Sequence, residues 1–258
     1  MIRFASLGSG SKGNATLIES GSGESDTRIL LDCGFSTKEL EIRLASLERS
    51  ADTINAIVIT HEHSDHVAGA GRLSRKYNIP VWLTVGTYHM CRDHDFAQTR
   101  FIDCHTDFEI DAINLHPFPV PHDAREPCQF VFSDGDSRLG IVTDLGCHTP
   151  HILNHLKGLN SLLLECNYDR DMLFSGAYPR ILKERVASFK GHLGNEQSKD
   201  LLQKLDLTKL KHVIGVHVSE KNNTPEYALQ ALCDGMNCTL NDVSLASQKN
   251  GFSWRELN

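Results

Sequence analysis

Residues 60–66 read THEHSDH, so His61, His63, Asp65 and His66 crowd into six positions directly after the apolar run AIVI at 56–59. Imidazole nitrogens suit zinc, iron and related divalent ions, and carboxylate oxygens extend the set to harder ions such as manganese. A mixed His/Asp cluster can therefore hold two ions side by side. His61 and His63 are two apart, and on an extended backbone residues i and i+2 point to the same side. Position 65 is Asp, so the helical HExxH pair of a zincin is not formed and the pattern is H-x-H-x-D-H. A surface loop rich in histidine by chance is the bland alternative, and four ligand types at this spacing after a buried strand weigh against it.

Five further polar residues stand where chemistry could use them. Asp32 ends RILLD, Asp144 follows LGIVT, Glu165 ends SLLLE, His217 ends HVIGVH, and His122 lies in PFPVPHDA, where three prolines stiffen the approach. Each also has an ordinary reading, as a turn aspartate, a loop histidine or a satisfied core histidine. His192, in FKGHLGN, reads equally as a helix-boundary residue.

The elements that must position these groups are strands interleaved with helices. IRFASLG, ATLIES and RILLDCG, separated by Gly-rich breaks, predict adjoining strands that open the fold as a β-meander. STKELEIRLASLERS puts Leu40, Leu44 and Leu47 at helical spacing behind a Ser/Thr cap, and AIVIT reads as a short buried strand. A helix around VAGAGRLSRKY, a strand VWLT and strands near FEIDAINLHPF, CQFVFS and RLGIVTD follow. The second half gives helix PHILNHLKG, strand SLLLECN, helices across YPRILKERVASFKG and NEQSKDLLQKL, strand HVIGVHV, helix PEYALQALCDG and a last strand near DVSLAS. Two sheets between outer helices fit this order, with the chemistry expected at a sheet edge. No repeat, linker or low-complexity tract divides the chain, so residues 1–258 are read as one domain.

Composition narrows the classes. With 258 residues and 40% hydrophobic content the chain can bury a substantial core. Its eight cysteines include no CxxC pair and are read as reduced, mostly buried thiols. A net charge of −7 gives no global attraction to a polyanion and leaves only a local basic groove for one. Neither a signal peptide nor a membrane span is read, so the expected location is cytoplasmic.

The segments SLGSGSKGNATLI, LLDCG, THEHSDH, PHDA, TDLG, LLLECNYD, GHLGN and VHVSEKNN together resemble the metallo-β-lactamase fold superfamily, and within it the YycJ/WalJ-like subgroup of proposed nucleases, nearly end to end. The resemblance implies an α/β fold of four layers, an αββα sandwich with a dinuclear metal site at its edge. It implies two divalent ions per chain, zinc or manganese with iron also compatible. His61, His63 and His122 would bind one ion, Asp65, His66 and His217 the other, and Asp144 would bridge them. Asp32 would accept a hydrogen bond from a liganding histidine and fix its tautomer.

Two ions bridged in this way can also bridge a hydroxide and make a nucleophile at neutral pH, with Asp65 among the catalytic groups. Glu165 and His192 resemble the acid pair of the phosphodiesterase branches, in which a glutamate holds an imidazole protonated and aims it at the leaving group. The expected function is that of a metal-dependent phosphodiesterase, a nuclease acting on DNA ends. The alternative is a thioester or lactone hydrolase of the glyoxalase II type, which shares the metal cradle and has no need of Glu165 with His192. A diiron reductase would call for a flavin-binding segment, and a binding-only scaffold would not fill all seven ligand positions.

Weaker signals surround the motifs. Subgroup members usually carry Ser where this chain has Gly194. Arg180, Lys183, Arg185 and Lys190 read first as a solvated helix face and second as a contact for a phosphate backbone. Asn14 in GSGSKGN stands near an anion or in a plain turn, Asn222 and Asn223 would cap the next helix, and His151 with His155 reads as a surface pair rather than a chelate.

Overall fold

The three opening segments form the expected meander: β1 (Ile2–Gly8), β2 (Ala15–Ser20) and β3 (Thr27–Leu31) pair antiparallel in sequence order. The structure is a computed structural model that describes residues 1–21 and 26–257. Helix α1 (Thr37–Ser46) follows, its Ser36 side chain accepting from Glu39 N at the N-cap. Next come β4 (Ala56–Val58), the short α2 (Ser64–Val67), α3 (Ala70–Tyr77), β5 (Pro80–Thr84), α4 (Val85–Met90) and β6 (Gln98–Ile102). From β3 to β6 the strands of this sheet pair in parallel.

The second half repeats the scheme. Strands β7 (Phe108–Ile110), β8 (Ile113–Pro119), β9 (Cys128–Ser133) and β10 (Arg138–Val142) are antiparallel neighbours. After α5 (Pro150–His155), the strands β11 (Ser161–Glu165), β12 (His212–Val216) and β13 (Val243–Leu245) add in parallel. They are joined through α6 (Arg170–Ser175), α7 (Arg180–Val186), α8 (Asn195–Gln203) and α9 (Pro225–Met236). Strand β14 (Phe252–Glu256) returns to pair with β1. Among the described residues this makes two sheets, ordered β14-β1-β2-β3-β4-β5-β6 and β13-β12-β11-β10-β9-β8-β7.

Alternation along the buried strands sorts side chains into layers. Ile29, Leu31, Ala56, Val58, Phe130, Phe132, Leu163 and Ile214 fill the space between the sheets. Leu30 and Ile57 point instead to Leu40, Leu44 and Leu73 of the helices on one side. Leu162, Leu164 and Val213 point to Leu201 and Leu232 on the other. This is the expected αββα sandwich. Residues buried on both faces explain why β4 and β11 read as continuous apolar runs.

Four elements were not legible. Strand β6, with only Ile102 buried, is a polar edge. The six-residue helices α4 and α6 are too short to show a period. Strand β14 lies beyond DVSLAS, which is not the last strand. The helix expected around VAGAGRLSRKY is broken at residues 68–69 into α2 and α3. Asp65 and His66 sit within α2. Among the described residues no helix is long and apolar enough to cross a membrane.

Candidate metal centre

Because β1, β3, β4, β8, β10, β11 and β12 run the same way within their sheets, their C-terminal ends meet at one edge of the sandwich. Asp32, His61, His63, His122, Asp144 and His217 lie in the loops leaving those ends, Glu165 is the last residue of β11, Asp65 and His66 lie on α2, and His192 lies between α7 and α8. Asp32, Asp144 and His217 each lie one or two positions past a strand, and each adopts the left-handed conformation, with φ of 59°, 51° and 53°. Asp and His tolerate that region better than other non-Gly residues, and such backbone is concentrated at functional sites. It turns each side chain sharply back over the sheet edge.

The histidines converge. Rings of His61 and His63 are 4.6 Å apart, those of His61 and His122 4.9 Å, and those of His63 and His122 5.0 Å. The ligand atoms of His61, His63 and His122 all lie within 4.8 Å of one another, and so do those of Asp65, His66 and His217. Asp144 joins a further group with His61 and His66, and another with Glu165, His192 and His217. A carboxylate shared by both sides is what a bridging ligand requires.

The orientation of each ring is set from behind. Asp32 Oδ2 lies 2.7 Å from His66 Nδ1, and its Oδ1 accepts from Thr60 N and Thr60 Oγ1. His122 Nδ1 donates to Gly191 O at 3.0 Å, which leaves Nε2 facing the cluster. Thr60 Oγ1 is 2.9 Å from His61 Nδ1. These are the outer contacts that fix tautomer and ring angle in metal sites. Glu165 is held rigidly, its Oε2 accepting from Leu145 N and Leu193 N while its Oε1 lies 2.8 Å from His192 Nδ1 and 3.1 Å from His217 Nδ1.

Two buried atoms test whether a cation fits. His61 Nε2 and Asp144 Oδ2 have no hydrogen-bond partner, Asp144 Oδ2 standing 2.8 Å from His66 Nε2 outside hydrogen-bonding geometry. Buried polar atoms are ordinarily satisfied. Coordination would satisfy both, and the His/Asp donor set suits a divalent transition ion. Charge points the same way. Burial disfavours the His66 imidazolium, yet Asp144, Asp32 and Asp65 outweigh it and hold its pKa well above the usual range. Burial likewise opposes charge on His217, and Asp144, Asp65 and Glu165 raise it to about 9. Asp144 is held well below the usual carboxylate range, its burial outweighed by His217 and His66. Burial, joined by the neighbouring His66, His122 and His63 and opposed by Asp144, drives His61 toward its neutral, ligand-competent form. Cations in place of the protons on His66 and His217 would balance the same carboxylates.

A model of the beta-lactamase superfamily domain matches residues 27–218 of this chain. The chain belongs to the metallo-β-lactamase superfamily. Among the relatives of this metallo-β-lactamase chain, the exodeoxyribonuclease YycJ of Bacillus anthracis is 33% identical over 232 residues, covering 88% of this chain and 86% of the relative. The exodeoxyribonuclease WalJ of Streptococcus pneumoniae serotype 2 (strain D39) is 31% identical over 233 residues, covering 88% and 85%. Its fold is shared with the metallo-β-lactamase fold protein YhfI from Bacillus subtilis, at TM-score 0.74 and 13% identity over 98% of each chain. As a metallo-β-lactamase hydrolase with this His/Asp cluster, it is a metal-dependent enzyme.

Some participants escaped the sequence. Thr60, in the midst of the motif, contacts Asp32, His61 and, at 3.4 Å, His66, yet a threonine after a strand carries no ligand signal. Ser9 Oγ accepts from His217 N, and Asn167 Nδ2 donates to His217 O, which together hold the left-handed turn. Asn14 holds the turn, its Oδ1 accepting from Gly10 N, and beyond either of its two readings its Nδ2 is 3.3 Å from Asp65 Oδ2 and 3.1 Å from His66 Nε2. Asn223 does not cap the next helix. Thr224 does, while Asn223 ties Cys166 O to Asn195. His151 and His155 stack edge to face at 4.5 Å outside the cluster.

Proposed function

We propose that this metallohydrolase is a phosphodiesterase that removes nucleotides from DNA ends, and that residues 1–258 act as a single domain in the cytoplasm. Its curated relatives carry the name exodeoxyribonuclease. All eight cysteines are free thiols, which supports a reducing compartment. Two zinc or manganese ions are assigned, one to His61, His63 and His122, the other to Asp65, His66 and His217, with Asp144 between them. When bound, such ions polarise the phosphoryl oxygens and lower the pKa of water.

The observation that carries the reading is the contact of His192 Nδ1 with Glu165 Oε1 at 2.8 Å, with Asp144 Oδ1 at 3.2 Å. Burial works against a charged His192, but Glu165 and Asp144 hold its pKa well above the usual imidazole range. Both carboxylates thus favour the protonated ring. Its Nδ1 proton is committed to Glu165, so Nε2 is the atom available to protonate a departing alkoxide. A cleft of about 330 Å³, lined among others by Ser11, His63, Asp65, Asp144, Arg185 and His192, receives the phosphate beside it. Carbonyl chemistry on a thioester has a good leaving group and no need of this acid.

The experiment compares DNA with a nitrophenyl phosphodiester, whose phenolate leaves without a proton. His192→Ala should cost about 10²- to 10⁴-fold on DNA and far less on the nitrophenyl ester. Glu165→Gln should damage both, because Glu165 also orients His217. Equal losses for His192→Ala on the two substrates would remove the general-acid role. Thioester hydrolysis without phosphodiester cleavage by the wild type would favour the glyoxalase II type.

A further inference from the structure

Helix α7 has no buried residue, although it forms one wall of the active-site cleft through Leu182, Arg185 and Val186. A helix held in place without burying an apolar face is not there for the core. Around it the surface is unusually apolar and aromatic: Ile181 is 82% exposed, Phe189 66% and Phe174 44%. Each ring has a cation beside it. The Arg170 guanidinium is 5.1 Å from the Phe174 ring, Lys190 Nζ 5.9 Å from Phe189, and Lys221 Nζ 5.7 Å from Tyr178. Residues 170–190 hold five Lys/Arg against two Asp/Glu in a chain of net charge −7. This locally basic stretch borders the metal cluster.

Exposed aromatic rings interleaved with cations are the means by which proteins grip unpaired nucleic acid: bases stack on the rings and the cations follow the backbone. Duplex bases are already stacked and offer no face to Phe189. The loop that carries it is fixed, since His192 N donates to Val186 O, Gly191 N to Ser188 O, and Gly191 O holds His122. Phe189 thus stands on a fixed loop, three residues from the acid. We infer that residues 170–190 form a single-strand track, with Phe189 stacking on a base of the substrate and Lys190 contacting its backbone. The inference rests on the nuclease reading and specifies an unpaired strand.

The test is anisotropy of a fluorescent oligothymidine with a phosphorothioate backbone, titrated over a range of salt, alongside cleavage of natural DNA and of the nitrophenyl diester. Phe189→Ala should weaken binding roughly 5- to 150-fold. Phe189→Tyr should retain it. Lys190→Ala should lower the log–log salt slope by about 0.7. DNA cleavage by Phe189→Ala should fall far more than cleavage of the small diester, which shows that the variant is folded. Wild-type binding and cleavage of DNA with no change in Phe189→Ala would overturn the track alone. If that variant also altered the oligomeric mass, the patch would be a contact between copies of the chain. A wild type that degrades no DNA would bring down the nuclease reading and the track together.

Discussion

At the scale of single residues, the centre is decided by which groups hold others still. Asp32 is buried behind His66. Its carboxylate aims His66, and its left-handed backbone is one that Asn also adopts. Asp32→Asn should keep the fold while lowering metal affinity or activity about 10- to 100-fold, measured by chelator competition and turnover. A variant equal to wild type in both would reduce Asp32 to a turn residue. Asp144 is different, because it reaches the donors of both proposed sites. Elemental analysis of the reconstituted protein should find close to two ions per chain, and Asp144→Ala should lose most of both. Wild-type protein that never exceeds one ion in excess metal rules out the dinuclear assignment.

At the scale of elements, the start of α8 explains the departure at Gly194. Its N–H donates to Gln197 Oε1. A Cβ built on Gly194 would stand 2.8 Å from the Tyr168 ring, whose hydroxyl donates to the same Gln197 oxygen. Tyr168 fills the space that a serine would need. Serine at a helix N-cap ordinarily gains a few tenths of a kcal/mol over glycine, whereas overpacking costs about 1–3 kcal/mol. The second effect wins. Gly194→Ser should destabilise the protein by about 1–2 kcal/mol in denaturant melts, and should become neutral or stabilising in a Tyr168→Ala background. If the serine is equally costly in both backgrounds, the ring is not its obstacle.

For the whole molecule, the meander is pinned by one buried carboxylate. Glu19 on β2 receives Arg3 of β1, Arg28 of β3 and Arg49 from beyond α1, while Trp254 of β14 covers Arg3 and Arg49. Burial would raise the Glu19 pKa, but Arg49 and Arg3 outweigh it and lower it. A depressed folded pKa means that this stability is complete above the unfolded value of about 4.3 and is lost as pH falls through the folded one. Glu19→Gln should cost about 2–3 kcal/mol at pH 7, roughly 5–10 °C in Tm, with the gap from wild type closing at acid pH. A gap independent of pH would sink the assignment. Arg3, Glu19 and Arg28 are spread over three strands, and only the strand register brings them together. The same limit applies to the centre. The strand and helix order apart from β6, α4, α6, β14 and the break between α2 and α3, the αββα layering and the local cluster from His61 to His66 were legible, because they depend on periodicity and on neighbours along the chain. The convergence of His122, Asp144, Glu165, His192 and His217 was legible only through family resemblance, since no local pattern encodes which loops share a sheet edge. What the tertiary structure alone decided was the doubled duty of Glu165 toward His192 and His217, the support from Thr60 and Asn14, and the exclusion of a side chain at Gly194. These are contacts across long chain separations, fixed by the pairing of strands and the packing of loops rather than by any local propensity.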